Sequence, residues 1–384
     1  MINTPIVTAA LRDEFLLDPN VVFLNHGSFG ACPKPVFETY QRWQLELERQ
    51  PVEFLGRRAD PLLDHARTHI ATYLHAPPDS LVFVPNATLG VNTVVRSLTL
   101  QAGDEILGTD HEYGAVDKTW EHVCRKTGAR YIRQPMPLPF STPEHFIEQL
   151  WQAVTPRTRV IAISHITSPT ALIFPIAEVC RRARAAGILT LIDGAHVPGQ
   201  LDLDLQALDP DFYTGNFHKW LCAPKGSAFL YVRPEHHGLI NPLVISWGMA
   251  DDATFVTRNQ WQGTRDLAAF LSVPAAIDFQ REHNWPEVRR ACHALAVETA
   301  QRIDTLTGLS PLAPESWYAQ MITAALPAVD PVALKQTLYD EYRIEVPIVF
   351  WNGQTMIRVS VQGYNTSADM DHLLDALTKI LPTH

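Results

Sequence analysis

Ile188-Leu-Thr-Leu-Ile-Asp193-Gly-Ala-His196 is a run of apolar and β-branched residues that ends on a carboxylate and turns at a glycine. A run without a charged face is a strand covered on both sides, the kind that parallel sheets contain. Outward from it, apolar runs alternate with amphipathic segments between about residues 80 and 235. Strands are predicted at Leu81–Val84, Glu105–Gly108, Arg130–Arg133, Arg159–Ser164, Ile188–Ile192, Phe212–Thr214 and Ser227–Val232. Helices are predicted between them at Gly90–Leu98, Val116–Thr127, Pro143–Ala153 and Ile176–Ala186. The alternation predicts an α/β fold with a large, mostly parallel seven-stranded sheet and helices on both faces. Beyond about residue 270 the pattern changes to a long helical stretch, Ala268–Arg302. Strands Gln320–Ala325, Glu345–Phe350 and Thr355–Val361 and a helix at Ala368–Ile380 follow. This predicts a smaller α+β domain, with the large domain over 21–268 and the small one over 269–384 joined by 1–20.

At 384 residues the chain exceeds what one core usually reaches, in keeping with two domains. Its 31 basic and 41 acidic residues give a formal charge of −10, which disfavours nucleic acid and an anionic membrane surface and favours a small-molecule partner. No apolar stretch approaches the ~20 residues of a membrane span. The opening from Met1 to Glu14 lacks the basic flank and apolar core of a signal peptide, so a cytoplasmic location is expected. Cys32, Cys124, Cys180, Cys222 and Cys292 are scattered without a Cys-x-x-Cys pair, so neither a disulfide framework nor a metal site is expected.

A carboxylate delivered to the tip of a buried strand needs a cation to stay charged. The protonated pyridine nitrogen of pyridoxal 5'-phosphate (PLP) is such a cation, and that cofactor also needs a lysine to hold it as a Schiff base. Asp193, together with Lys219 in Gly215-Asn-Phe-His218-Lys219-Trp220, supplies both groups. A strand ending in Asp-Gly is common, and His-Lys-Trp alone is compatible with a solvated loop; their order and spacing carry the reading. Strand Leu81–Val84 runs through Pro85-Asn-Ala-Thr-Leu-Gly90 into a helix. That aims N–H groups, the positive dipole end and the Thr88 hydroxyl at one point, as a phosphate requires. A plain Asn or Thr cap is the alternative. Tyr113 and His111 are candidates to lie over the cofactor ring, or else to cap their loop. Arg358, inside the alternating strand Met356-Ile-Arg-Val-Ser-Val, expects a carboxylate. An internal Asp or Glu and a substrate α-carboxylate held bidentately both satisfy it.

The motifs Leu24-Asn-His-Gly-Ser-Phe-Gly30, Asn86-Ala-Thr, His111-Glu-Tyr-Gly, Asp193-Gly-Ala-His196-x-Pro-Gly, His218-Lys219-Trp, Gly263-Thr264-Arg265-Asp266, Ile344-Glu-Val-Pro and Arg358-Val-Ser with Tyr364-Asn-Thr stand in order over roughly residues 16 to 380. In this the chain resembles the class V aminotransferases among fold-type I PLP enzymes, in particular the isopenicillin N epimerase-like branch. Fungal-type C–S lyases of ergothioneine synthesis share the Asn-His-Gly-Ser-Phe-Gly opening; cysteine desulfurases are more distant. The resemblance implies Lys219 as the Schiff-base lysine, Asp193 at the pyridine nitrogen, His196 on the phenolic oxygen and Tyr113 over the ring. It implies Ala87 and Thr88 at the phosphate with Asn216 and His218 beside them, and Arg358 on the substrate carboxylate. It also implies a homodimer with shared active sites, Thr264 reaching the phosphate of the other subunit. Asn25 and Arg57 are candidates for the substrate mouth. The desulfurase pattern is broken: no cysteine follows Cys292, and His165 stands where an asparagine is common.

These residues predict chemistry at Cα of an amino acid, with the amine of Lys219 taking the Cα proton. Reprotonation from the opposite face is epimerisation; departure of a Cβ group is β-elimination; protonation at the cofactor carbon is transamination. The expectation is an epimerase or racemase of the isopenicillin N epimerase-like branch, with a C–S lyase on a cysteine conjugate or sulfoxide, or an aminotransferase, as alternatives. For a two-base epimerisation the second acid is sought among Tyr113 and His111. A catalytically idle PLP-binding protein is the remaining possibility, against which the joint presence of Lys219, Asp193 and Arg358 argues.

Overall fold

The computed structural model describes residues 7–382. The expected contribution of residues 1–20 to the smaller domain, and the reading of the opening segment, fall partly on residues 1–6, which lie outside the described residues. The strands in chain order are β1 (Val22–Phe23), β2 (Leu81–Val84), β3 (Glu105–Thr109), β4 (Arg130–Gln134), β5 (Thr158–Ser164), β6 (Leu189–Asp193), β7 (Phe212–Asn216), β8 (Ala228–Val232), β9 (Met321–Ala325), β10 (Ile344–Glu345), β11 (Ile348–Trp351) and β12 (Gln354–Ser360). Seven of them form one sheet in the order β2-β8-β7-β6-β5-β3-β4, in which β8 alone runs antiparallel to its neighbours.

Two apolar cores cover this sheet, and single strands feed both, as the period of two requires. In β5, Ile161 and Ile163 enter one core while Val160 and Ala162 enter the other. In β6, Ile192 and Leu191 divide in the same way. Helices Gly114–Thr127, Pro143–Trp151 and Ile176–Ala185 connect the parallel strands. The helix after β2 begins at Ala87, three residues ahead of the predicted start, because the Asn86 side chain caps it by accepting from the Leu89 N–H at 2.9 Å.

The long helix expected over Ala268–Arg302 is instead three helices, Ala268–Leu271, Val273–Glu282 and Trp285–Thr307. Pro274 and Pro286 sit in the first turns of the second and third helices, and Asn284 takes a left-handed backbone at φ 47°. The strand expected over Glu345–Phe350 is likewise split. β10 pairs in parallel with β1, whereas β11 belongs to the antiparallel sheet β11-β12-β9; Pro347, lacking an N–H, separates them. The chain from Val22 to Ser28 thereby lies along the end of β12: the Ser360 N–H donates to the Leu24 carbonyl at 3.0 Å, and the Gly27 N–H donates to Ser360 Oγ at 3.2 Å. Among the described residues no helix is long and apolar enough to cross a membrane.

Candidate active site

Ligands of open parallel sheets collect beyond the carboxyl ends of the strands. Here the ends of β2, β3, β5, β6 and β7 converge on a cavity of about 260 Å³. Asn86, Ala87, Thr88, Tyr113, Asp193, His196, Asn216, His218 and Lys219 all line it. Residues far apart in sequence and singled out for one cofactor therefore meet in one place.

Lys219 extends Nζ to within 3.1 Å of His196 Nε2, and the Trp220 indole donates to His196 Nδ1 at 3.3 Å. With Nδ1 accepting, the imidazole proton sits on Nε2 and points toward the cavity. Burial, then the charge of Lys219, holds His196 far below the usual imidazole range, so the ring is neutral. Burial, then the charge of Arg358, pulls the Lys219 amine down to about 7, with Asp193 acting in the opposite sense. The backbone beneath is pinned: the Lys219 carbonyl accepts from the Cys222 N–H at 3.0 Å and lies 3.0 Å from His26 Nε2. His26 was not recognised as a site residue, although its motif was.

Asp193 accepts from the Ala195 N–H at 3.0 Å and, among the described residues, has no ion-pair partner. Burial pushes its carboxyl up. Lys219 shares the cavity and its charge favours the ionised form, but no cation pairs directly with this buried carboxylate among the described residues, which leaves room for one from a ligand. At the other end of the cavity the Ala87 N–H is spent on Asn216 Oδ1 at 2.9 Å. The Thr88 N–H and hydroxyl are without partners among the described residues, at the start of a helix whose dipole favours an anion. His218 bonds the Ser227 carbonyl through Nδ1 at 3.2 Å and is held neutral by burial, at about 4. An anion-seeking helix end, a cation-seeking carboxylate and a lysine between them fit a pyridine that carries an aldehyde and a phosphate.

Not every expected residue reaches this cavity. His111 is fully buried, with Nδ1 2.7 Å from Thr170 Oγ1 and Nε2 2.8 Å from the Met136 carbonyl, so both ring nitrogens are committed to the fold. Of the two candidates to cover the ring, only Tyr113, 48% exposed, lines the cavity. Arg358 lies just behind the wall: Nη1 donates to the Ser168 carbonyl at 2.5 Å and to Ser168 Oγ at 3.1 Å, and Nη2 to Ser28 Oγ at 3.2 Å. Among the described residues no carboxylate pairs with it, so no internal salt bridge there accounts for this arginine. Asn25 sits one residue further back, bonded to Ser28 Oγ at 2.5 Å and to Glu345 at 2.8 Å. Arg57 and Thr264 are exposed and stand away from the cavity. His165 bonds the Tyr213 hydroxyl through Nδ1 at 3.0 Å.

The aminotransferase class V profile matches residues 31–373, most of the chain. The chain belongs to the class V aminotransferase family. It is 38% identical over 392 residues to the isopenicillin N epimerase of Amycolatopsis lactamdurans, covering 97% of this chain and 98% of that one. It is 29% identical to a probable chloroplastic L-cysteine desulfhydrase of Arabidopsis thaliana, over 95% of this chain and 84% of that one. The solved structure of the cystine C–S lyase C-DES with its product cysteine persulfide superposes with a TM-score of 0.82 at 23% identity, over 95% of this chain and 99% of that chain. Like its family, this class V member is a fold-type I PLP enzyme.

The class V site also contains residues that spacing did not single out. Ser28, Phe29, Ser164, Ile166, Ser168 and Ala195 complete the wall. Behind it, Glu112 is a buried acid accepting from Thr109 Oγ1 at 2.7 Å and from the Ser164 N–H and hydroxyl at 2.8 and 2.7 Å, which ties the tips of β3 and β5 together. Burial pushes it up to about 7. A carboxylate beside an aromatic in His111-Glu-Tyr-Gly was the only sequence trace of it.

Proposed function

We propose that this chain moves the Cα proton of an amino acid and returns it with inversion, as an epimerase or racemase, in a homodimer with shared sites. Bound PLP supplies the electron sink that makes a Cα proton removable. The chain's own residues do the rest. Lys219 would hold the cofactor through its amine, which burial pulls down to about 7, and that amine is the group placed to take the Cα proton. Asp193 would keep the ring nitrogen charged, His196 would offer its Nε2 proton to the phenolic oxygen, and Tyr113 would cover the ring. Thr88, the start of the helix at Ala87, Asn216 and His218 hold the phosphate, with Thr264 of a second copy. Arg358 takes the substrate carboxylate, with Asn25 and Arg57 toward the substrate mouth.

The observation that carries the reading is the single lysine, depressed toward neutrality and seated 3.1 Å from a neutral His196, in a cavity it shares with a buried carboxylate that has no direct ion-pair partner among the described residues. The similarity to an isopenicillin N epimerase over nearly the whole of both chains supports inversion as the outcome. A second outcome, β-elimination at a C–S bond, is supported by the similarity to an L-cysteine desulfhydrase. Incubating the PLP-loaded protein with L-amino acids in deuterated water, while following Cα exchange and chirality, and with L-cysteine conjugates, while following pyruvate, separates the two. Exchange accompanied by inversion is expected; pyruvate without inversion rejects epimerisation and selects the lyase. A Lys219→Ala protein that keeps a borohydride-reducible absorbance band overturns the placement of the Schiff base.

A further inference from the structure

Arg358 is a buried charge without a counter-ion among the described residues. Its guanidinium touches Ser168 and Ser28, and among the described residues no carboxylate pairs with it and its Nε, closed off from solvent, has no hydrogen-bond partner. Burial pulls it down to about 10, which still leaves it charged at neutral pH. It does not itself form the cavity wall; Ser28 and Ser168 do. The two serines differ in what they have left to give. Ser28 has no proton left to give: its hydroxyl donates to Asn25 Oδ1 at 2.5 Å and accepts from Arg358 Nη2 at 3.2 Å. Asn25 is fixed in turn, because its amide nitrogen is spent on Glu345 at 2.8 Å. Ser168 accepts from Arg358 Nη1 at 3.1 Å, and its own hydroxyl proton has no acceptor among the described residues.

We infer that Ser168 is a substrate-carboxylate residue, donating its free hydroxyl proton to the anion that faces Arg358, and that Ser28, Asn25 and Glu345 are positioning residues that brace Arg358 from the other side. This rests on the reading of the cavity as an amino-acid site and adds to it the groups that select a carboxylate. The chain of contacts from Glu345 through Asn25 and Ser28 to Nη2 fixes one edge of the guanidinium, and the Ser168 carbonyl fixes the other. An arginine held at both ends keeps its charge in one place, so the anion meets a preorganised seat. Ser168 adds a hydrogen bond to a charged group, a contact whose removal typically weakens binding about tenfold or more.

The test uses the PLP-loaded enzyme and two probes, L-alanine and ethylamine, which is the same skeleton without the carboxylate. Binding is read from the change in cofactor absorbance. Ser168→Ala is expected to weaken L-alanine about tenfold or more and leave ethylamine unchanged; Ser168→Thr, which keeps the hydroxyl, is expected to restore most of the loss. Ser28→Ala and Asn25→Ala are expected to lower the same L-alanine to ethylamine selectivity, an effect that a loss of general packing does not produce. If the Ser168→Ala protein binds both probes as before, or loses both equally, the assignment of Ser168 is wrong. If Arg358→Lys also leaves the selectivity intact, the error lies in the underlying reading of Arg358. If Arg358→Lys alone removes it, that reading stands and only the role of the serines falls.

Discussion

Lys219 illustrates how much of this chemistry resides in a single side chain's surroundings. Moved from water into a pocket that already holds Arg358, its ammonium loses solvation and meets a like charge, so its amine titrates at about 7 rather than at the lysine value of 10.5. The consequence has a definite sign. Below about pH 7 the ammonium predominates and cannot attack an aldehyde; above it the free amine does, and raising the pH further adds nothing. PLP added to cofactor-free protein is therefore expected to be captured at a rate that rises through pH 7 and levels off before pH 8.5, followed by stopped-flow absorbance. A rate that keeps climbing about tenfold per pH unit to pH 9.5 would show an ordinary lysine and refute the placement. The identities of Lys219 and Asp193 were legible in the sequence because each closes a recognisable strand or loop. Their electrostatics were not, since the desolvation comes from elements distant along the chain.

At the scale of an element, the loop that carries Lys219 is moulded against the N-terminal segment. Gly30 has φ 71° and ψ 165°, a backbone region that only glycine adopts easily. A Cβ there would stand 1.9 Å from the His218 carbonyl oxygen and 3.0 Å from Lys219 Cα. Gly30→Ala must therefore displace the very peptide that aims Lys219. Beyond roughly 1–3 kcal/mol of backbone strain, it is expected to cut the borohydride-reducible cofactor content by more than tenfold. Gly103→Ala is the matched control: it has φ 89° but nothing within 4 Å of the added Cβ, so it should lose some stability and keep its cofactor. Equal cofactor loss in both proteins would mean that strain alone, not contact with the lysine loop, is responsible. Elements bounded by local signals could be read from sequence, such as β6 with its tip at Asp193 or the helix that starts under the Asn86 cap. The breaks before Pro274 and Pro286 carry such a signal too, since proline begins a helix more readily than it continues one, and the left-handed Asn284 separates the second helix from the third. Ser168 was invisible, because a serine in a loop acquires meaning only when Arg358, on β12, is folded against it.

At the scale of the whole molecule, one surface stays unexplained by a single chain. Trp247 is 92% exposed, and Val52, Ile245 and Val244 are 74%, 65% and 49% exposed. Val52 and Trp247 line a hollow of about 1050 Å³ together with Gly56 and Thr264. Large exposed apolar side chains gathered at a hollow of this size are a mark of an interaction surface. Thr264, which the family resemblance sends to the phosphate of another subunit, sits in it and not in its own cavity, and the homodimer proposed above would give both facts one cause. On that proposal Arg57, next to Gly56 and also exposed, would serve a neighbour's substrate mouth instead of its own. If so, assembly and cofactor retention are linked, because binding energy at the phosphate is shared across the interface. Trp247→Asp buries a charge in that contact and is expected to give monomers in sedimentation equilibrium at micromolar protein, with PLP released much faster on dilution than from the parent. Thr264→Ala should leave the dimer intact and still loosen PLP. A Trp247→Asp protein that sediments as a monomer yet holds PLP as tightly as before would break the link, placing every group needed for the cofactor within one chain.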